Sequence, residues 1–420
     1  MSELQYYLRP RPAYEPVRTE GDVFWRDGDR FLIKGINYFI RHPKPPGEPL
    51  YPIHKVDCLS EEHLETLQRD VKVFRELGLN TIFIPSLDPT KNHHEALKLL
   101  AQAGIYVLVT IGEGIARPPQ PDAGWPSFDT DFDTRTYHTT ESLERSIRIV
   151  DELASYPNVL GFIVDGSALV DLKATKIAEV HRAHVRDIKS FLHLRGGRQI
   201  PVGVALCEIL NFQLQAVQYF SAGPSTDLSC ADFIARENWS WACKSDFRIS
   251  GWKNMVKILQ EYPIPMFLGE YGTFVGYRLW EEVPCLYSRD MTGVFSGGCL
   301  YTYCDDGSKY GIVEEDEGGG ITRKPEFELL RKHFRTVNCR MPEELYDSHV
   351  KDYESWTGEF PERDEHCWFA TRDLPECPVD LERFMLELRQ EKEWEVISHR
   401  TEGLKLWNRD CTVYNALYKE

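Results

Sequence analysis

The sequence predicts an α/β fold, a (β/α)8 TIM barrel, followed by a small C-terminal α+β appendage. Two observations predict the barrel. Eight short apolar runs, rich in β-branched residues, alternate with helical patterns between residue 31 and about residue 335. Each run is apolar along most of its length, as expected of parallel strands covered on both faces. Eight such units are the number that closes a barrel of this kind.

The elements follow one another in a regular order. The first strand, FLIKGI at 31–36, precedes a proline-rich loop and a helix whose apolar residues repeat at helical spacing from Leu64 to Phe74. Gly78 can adopt the left-handed conformation that ends such a helix. The further strands are predicted at 80–85, 105–111, 159–164, 200–206, 231–235, 264–269 and 297–303, and the further helices at 93–103, 140–155, 174–194, 209–221 and 250–261.

The chain is predicted to have three parts. Residues 1–30 form an N-terminal extension, residues 31–338 the barrel, and residues 339–420 a C-terminal lobe packed on the barrel. The alternation of strands and helices ends near residue 340, and the remaining chain holds an amphipathic helix at 380–394 and four tryptophans. Tryptophans in this number favour a folded lobe over a disordered tail.

Charge and hydropathy exclude two classes of partner. The 420 residues include 49 basic and 66 acidic side chains, a formal net charge of −17. A polyanion would be repelled, so nucleic acid is not a predicted partner. No apolar run approaches the roughly 20 residues of a membrane span or forms a signal peptide, so we predict no membrane association and a cytoplasmic location.

No metal or cofactor is predicted. The eleven cysteines are scattered, without a CxxC pair, and are interpreted as buried free thiols. The pairs His93-His94 and His181/His184 lack a nearby third ligand and are interpreted as solvent-exposed residues of outer helices. The chain has neither a phosphate-binding loop nor a dinucleotide fingerprint. The oligomeric state is left open.

Candidate site residues follow from the fold, because functional side chains of such barrels lie at the C-terminal ends of the strands. Three carboxyl residues at these positions are candidate catalytic groups, namely Asp165, Glu237 and Glu270. Asp165 or Glu237 could instead form a structural ion pair with an arginine such as Arg236. The candidates for substrate binding, several with aromatic faces that suit a sugar ring or another flat ligand, are Asn37, Tyr38, Asp88, Ser167, Trp239, Tyr271 and Tyr303.

The chain resembles the fungal β-1,3-glucanosyltransferases of glycoside hydrolase family 72 over about residues 30–335. The resemblance rests on blocks that include FLIKGINY, LGLNTIFIPSLDPTKNHHEALKLLAQAGIYVLV, YPNVLGFIVDG, IPVGVAL, IPMFLGEYG and LYSRDMTGVFSGGCLYTY. It implies a (β/α)8 barrel and a retaining mechanism with two glutamates, a nucleophile and an acid/base, on either side of the scissile bond.

The resemblance places only one of the two glutamates. The nucleophile position corresponds to Glu270 in LGEYG, whereas the acid/base position corresponds to Ser167, and no glutamate occurs between Glu152 and Glu179. A serine hydroxyl cannot replace a carboxylic acid as proton donor. The resemblance further implies that cysteines of the family's disulfides are replaced by apolar residues, which agrees with a reducing compartment. Those positions are Leu67, Ala96, Ala222 and Ala242.

Three hypotheses follow from these departures. The first is an intracellular enzyme that uses Glu270 for acid/base chemistry, such as isomerisation, cyclisation or dehydration of a small, specialised metabolite, while Glu237 or Asp165 tunes its proton affinity. The second is a pseudoenzyme that binds β-glucan without turning it over. The third is residual β-1,3-glucanosyltransfer through an unexpected acid. The expected ligand is accordingly a small molecule or an oligosaccharide.

Overall fold

The computed structural model confirms the barrel. It describes residues 14–40, 56–112, 132–165, 169–209, 211–224, 226–305, 307–342 and 358–395. Eight parallel strands form the barrel, namely β4 (Ile33–Asn37), β5 (Thr81–Ile84), β6 (Tyr106–Ile111), β7 (Val159–Val164), β8 (Val202–Leu206), β9 (Ile234–Glu237), β10 (Met266–Tyr271) and β11 (Phe295–Leu300). They close on themselves in the order β10-β11-β4-β5-β6-β7-β8-β9.

Helices cover the outside of the barrel. The first, α1 (Leu64–Leu77), ends at Gly78, whose φ of 68° is the left-handed conformation predicted for it. The other helices are α2 (His94–Gln102), α3 (Thr140–Leu153), α4 (Ala178–Arg195), α5 (Gln213–Ser221), α6 (Trp252–Leu259), α7 (Glu282–Leu286), α8 (Arg289–Thr292), α9 (Phe327–Thr336) and α10 (Leu381–Glu395).

A small antiparallel sheet lies at the N-terminal end of the barrel. It contains β1 (Arg18–Glu20), β2 (Val23–Arg26), β3 (Asp29–Phe31) and β14 (Arg340–Pro342), while β12 (Val313–Glu315) pairs separately with β13 (Ile321–Arg323). Inside the barrel, the ring centroid of Phe24 of β2 lies 5.6 Å from that of Phe233 and 6.1 Å from that of Phe267. The sheet therefore closes one end with apolar side chains, which leaves the opposite end for a site.

Residues 358–395 lie against the outer helices. The Tyr219 hydroxyl of α5 donates to the carbonyl of Thr371 at 2.7 Å, and the backbone N–H of Thr371 donates to Glu179 of α4 at 2.8 Å. Arg148 of α3 forms an ion pair of 2.6 Å with Glu391 of α10. The division of the chain at residues 30/31 and 338/339 stays a prediction.

Removal of the cap of α3 provides a local test of the fold. The Thr139 hydroxyl accepts a hydrogen bond of 3.2 Å from the backbone N–H of Ser142, a donor that the helix itself leaves unpaired. Thr139→Ala should lower the free energy of unfolding by about 1 kcal/mol, measured by urea denaturation. Glu141→Ala, an exposed change in the same turn, is the control. Equal losses in the two variants would contradict the capping role.

Candidate active site

Four polar side chains meet at the C-terminal ends of four neighbouring strands. Asp165 follows β7, Cys207 follows β8, Glu237 ends β9, and Glu270 lies near the end of β10. Glu237 and Glu270 are direct register partners of two adjacent strands. All four residues are partly exposed, so they line an open mouth rather than the closed core. We call these four residues the carboxyl cluster.

The two glutamates of the carboxyl cluster favour the protonated state. Burial raises the pKa of Glu270 well above its ordinary value, and the charges of Glu237 and Asp165 raise it further. Burial also raises the pKa of Glu237, and the charge of Asp165 raises it further. Hydrogen bonds from Trp239 and Cys207 to the Glu237 carboxylate lower this pKa and so oppose the shift. Since neighbouring carboxylates repel one another, Glu237 and Glu270 share a proton rather than both ionise.

The partners of Glu237 and Arg236 differ, although the two residues are adjacent. The indole N–H of Trp239 donates to Glu237 Oε2 at 3.2 Å. Arg236 points away from the mouth and donates to the side chain of Gln213, with the carboxylate of Glu208 as its electrostatic partner. The hypothesis that Arg236 pairs with Glu237 or Asp165 is therefore not supported by the geometry.

An aromatic wall adjoins the carboxyl cluster. The ring centroid of Trp239 lies 5.7 Å from that of Tyr301 and 5.2 Å from that of Tyr310, and the two tyrosine rings are 5.5 Å apart. Phe274 extends the wall at 4.5 Å from Tyr310. The pKa of Tyr310 is raised, mainly by burial and in part by the charge of Glu270. The aromatic wall therefore lies within electrostatic reach of the carboxyl cluster. Sequence reasoning identified only Trp239 of these four.

The three tyrosines assigned to substrate binding do not line the mouth. Tyr38 and Tyr303 lie between the barrel and α1, where their hydroxyls donate to the buried carboxylate of Asp70 at 3.0 and 2.8 Å. Tyr271 is buried on the outer side of β10, among the side chains facing α7. The prediction was wrong for Tyr38 and Tyr271 because adjacent residues along a strand point to opposite faces, and it was wrong for Tyr303 because the chain has left β11 at that position.

The remaining assigned residues have local roles or lie elsewhere. The Asn37 side chain donates to the carbonyls of Gly269 and Leu300, at 2.9 and 3.4 Å, and so joins three strands at the mouth. The Asp88 carboxylate caps its own turn by accepting from the N–H and hydroxyl of Thr90. Ser167 lies outside the described residues.

The prediction that the histidine pairs are solvent-exposed was wrong. His93, His181 and His184 are fully buried, and His94 is half-buried. His93 Nε2 lies 2.7 Å from Asp57 Oδ2, and its Nδ1 lies 3.8 Å from Glu152 Oε1. Within the described part of the chain, no group of three His, Cys, Asp or Glu side chains could hold a metal ion.

His93 predicts a pH-dependent contribution to stability. Burial lowers its pKa, but the hydrogen bond with Asp57 and the nearby carboxylate of Glu152 outweigh this effect, so the net pKa is raised above 6.5. The protonated ring therefore stabilises the fold fully below pH 6.5, and this contribution is lost as the pH rises through the raised value. His93→Gln should cost about 1–3 kcal/mol at pH 6 and less at pH 8.5, measured by urea denaturation. His193→Gln, an exposed change, is the control, and a loss independent of pH would contradict the charged pair.

The fold and site together define a class of protein and then a family. A (β/α)8 barrel with carboxyl groups and aromatic rings at the C-terminal ends of its strands has the architecture of carbohydrate-processing enzymes. The chain belongs to the glucanosyltransferases of glycoside hydrolase family 72, whose family model matches residues 9–338.

Similar proteins agree with this assignment. The chain is 31% identical over 382 residues to the 1,3-β-glucanosyltransferase gel1 of Aspergillus fumigatus, covering 90% of this chain and 78% of that protein. It is 29% identical to the 1,3-β-glucanosyltransferase GAS5 of Saccharomyces cerevisiae, covering 86% and 70%. The structure of Saccharomyces cerevisiae Gas2p in complex with laminaripentaose is similar with a TM-score of 0.74 and 26% identity, covering 89% and 80%. No helix in the described ranges is long and apolar enough to cross a bilayer.

Proposed function

We propose that this protein is an enzyme in which Glu270 performs general acid/base catalysis on a small molecule or a short oligosaccharide. The observation that carries the proposal is the carboxyl cluster, in which Glu270 is the register partner of Glu237 at the barrel mouth and the charges of Glu237 and Asp165 raise its pKa. A carboxylic acid with a raised pKa can donate a proton near neutral pH and take it back in the next step. Isomerisation, cyclisation and dehydration are reactions that require such a group.

The same cluster is poorly suited to retaining transglycosylation. A retaining enzyme needs an ionised nucleophile and a separate acid across the scissile bond, about 5 Å away. Glu237 lies beside Glu270 on the adjacent strand, and its carboxylate accepts hydrogen bonds from Trp239 and Cys207. The resemblance places Ser167 where the family's acid would be. These features support proton transfer over glycosyl transfer.

Glucan binding or residual glucanosyltransfer is the second candidate function. Asp165 follows a different strand from the two glutamates and lies within electrostatic reach of both, so it is the residue that could act as the acid. Relatives named 1,3-β-glucanosyltransferases share about 30% identity with the chain. Solved structures of Gas2p hold laminaritriose and laminaritetraose, and the aromatic wall would suit such a ligand here.

Incubation with laminaripentaose distinguishes these functions. At high enzyme concentration, we expect mass spectrometry to detect neither longer nor shorter oligosaccharides. Their appearance would contradict the proposed acid/base chemistry and show glucanosyltransfer instead. Saturable binding without products, measured by calorimetry and unchanged in Glu270→Gln, would favour the non-catalytic binding protein.

The assignment of Glu270 is tested on a substrate found by screening small molecules for turnover. Glu270→Gln should reduce kcat by about 10²–10⁴-fold, the usual contribution of a general acid or base. Glu314→Gln removes a carboxylate that is exposed on β12 and should leave kcat unchanged. If Glu270→Gln retains full turnover, Glu270 is not the catalytic group.

We also propose that the protein functions in the cytoplasm, where thiols stay reduced. In the described part of the chain, ten cysteines form no disulfide, and four of them are buried. A folded barrel with free thiols is compatible with such a compartment. Fluorescence microscopy of the tagged full-length chain tests this location, and secretion into the medium would contradict it.

A further inference from the structure

A carboxylate beside the mouth connects the ends of β8 and β9. Glu208 lies two residues after the end of β8, next to Cys207 of the carboxyl cluster, and is half-buried. Its Oε1 accepts a hydrogen bond of 2.7 Å from the side-chain amide of Asn238. Its Oε2 accepts a second bond of 2.7 Å from the backbone N–H of Trp239. We call this arrangement of Glu208, Asn238 and Trp239 the Glu208 clamp.

Asn238 anchors the Glu208 clamp to the rest of the fold. The backbone N–H of Asn238 donates to the carbonyl of Glu270 at 2.8 Å. Its side-chain oxygen accepts a bond of 2.6 Å from the indole N–H of Trp252, the first residue of α6, which is fully buried. Asn238 is therefore fixed between β10 and α6, and its amide holds the Glu208 carboxylate beside the Trp239 backbone.

Trp239 depends on this clamp because it lies beyond the end of its strand. β9 ends at Glu237, so Glu208 accepts the Trp239 backbone N–H in place of a neighbouring strand. The indole makes edge contacts with Tyr301 and Tyr310 and donates to Glu237 at 3.2 Å. The bond to Glu237 weakens whenever that carboxylate takes up a proton, since an ionised acceptor binds an N–H more strongly than a neutral one. The backbone bond to Glu208 does not change in that step.

We propose that Glu208 is a positioning residue of this site, which holds Trp239 beside Glu237 while the carboxyl cluster gains and loses protons. The inference rests on the proposed function, since it concerns the same mouth and the same acid/base groups, and it adds a residue that acts without touching the substrate. Glu208 acts through the backbone of Trp239. Without the clamp, the indole is free to leave the Glu237 carboxylate, and the aromatic wall changes shape.

Glu208 also carries a charge whose effect must be distinguished from that of the clamp. Arg236 is buried, and Glu208 is its electrostatic partner, although the Arg236 guanidinium donates to Gln213. A variant of Glu208 could therefore act by leaving the Arg236 charge uncompensated. Arg236→Met removes that charge and leaves both hydrogen bonds of the clamp in place, so it is the matched control.

Fluorine NMR of the full-length chain labelled with 5-fluorotryptophan tests the clamp without any ligand. The chain has ten tryptophans, and the signal of Trp239 is the one that Trp239→Phe removes. We expect Glu208→Gln to shift and broaden this signal, because a glutamine amide offers one acceptor oxygen where the clamp needs two. Glu208→Asp keeps the charge but shortens the side chain, so it should displace the same signal.

Arg236→Met should leave the Trp239 signal at its native position, and circular dichroism confirms that each variant is folded. A native signal in both Glu208 variants would overturn the proposal. An equal displacement in Arg236→Met would also overturn it, since the charge would then account for the effect.

Turnover of the substrate found by screening measures the functional effect. Glu208→Gln should lower kcat/KM by about 10- to 100-fold, the cost of a slightly misplaced group in an active site. Trp239→Leu should cause a similar loss, and the double variant should be no worse than Trp239→Leu, because Glu208 acts through Trp239. Multiplication of the two losses would show that Glu208 acts independently and would overturn the proposal.

The outcomes separate this inference from the proposed function. If the Trp239 signal stays native in Glu208→Gln and Glu208→Asp, the inference alone fails, whatever the turnover. If that signal is displaced as expected and Glu270→Gln leaves turnover intact, the acid/base role alone fails.

Discussion

Glu270→Gln should make the protein more stable than the native sequence above pH 5, by about 1–3 kcal/mol at pH 8. Below pH 4.5, the ordinary value for a glutamate, Glu270 is protonated in both the folded and the unfolded chain, and the two proteins should be equally stable. As the pH rises, the unfolded glutamate ionises first, because burial and the neighbouring carboxylates raise the pKa of the folded one. The native protein therefore loses stability up to that raised value, whereas glutamine stays neutral.

The measurement is urea denaturation of both proteins at pH 4.5, 6 and 8. The difference in unfolding free energy should increase with pH, and a difference that stays constant would contradict the raised pKa. Glu314→Gln, whose carboxylate is exposed, should match the native protein at each pH. Glu237→Gln should give part of the same gain and should also reduce the effect of Glu270→Gln, because it removes a charge that acts on Glu270.

The strands were predictable because parallel barrel strands are buried on both faces. Their continuous apolar runs contrast with the amphipathic helices, and all eight runs were found in order. Strand ends were less predictable, since β9 (Ile234–Glu237) begins three residues after the start of the apolar run 231–235 and ends two residues beyond it. The polar residue that ends this strand faces the mouth, so hydrophobicity alone underestimates strands at their functional ends.

The sequence predicted which strand ends form the site, but it did not predict which side chains at those ends point into the mouth. Glu270 and Glu237 lie together because parallel strands end at one edge, which follows from topology. Alternation of side chains was the unused signal. Tyr271 is adjacent to Glu270 and must point away from it. Alternation does not apply to Tyr301 and Tyr303, which lie beyond the end of β11: Tyr301 contacts the mouth residue Trp239, whereas Tyr303 contacts Asp70.

The buried histidines show a different reason for failure. Histidine is a polar residue, so His181 and His184 were assigned to the solvent-exposed side of their helix, although both are fully buried. The charge of Asp165 acts on His181, and His184 Nε2 lies 2.9 Å from Ser146 Oγ of α3, so these residues lie against the barrel and α3. Residues 358–395 cover another side of α4, where Thr371 contacts Glu179 across nearly 200 positions of sequence that local patterns do not contain.

Arg182→Met should destabilise the protein by about 3–5 kcal/mol, the usual cost of breaking a buried, fully hydrogen-bonded charge. Its guanidinium, with no exposed surface, donates to Ser229 Oγ at 2.9 Å, to the carbonyl of Ala222 at 2.6 Å and to Asp227 at 3.2 Å. It also lies 4.5 Å from the ring centroid of Phe360, in the segment that covers α4. Methionine fills much of the same space but donates no hydrogen bond, so acceptors on the loop after α5 would lose their partner.

Thermal melting and limited proteolysis test this role together. Because Arg182 connects α4 with the covering segment, its loss should lower the melting temperature by several degrees and speed cleavage within residues 358–395. Arg135→Met is the matched control, since Arg135 pairs with Asp133 while its side chain is 79% exposed, and such pairs contribute little. If Arg182→Met melts within a degree of the control, the covering segment is held by its aromatic and backbone contacts alone, and the buried charge serves no stabilising purpose.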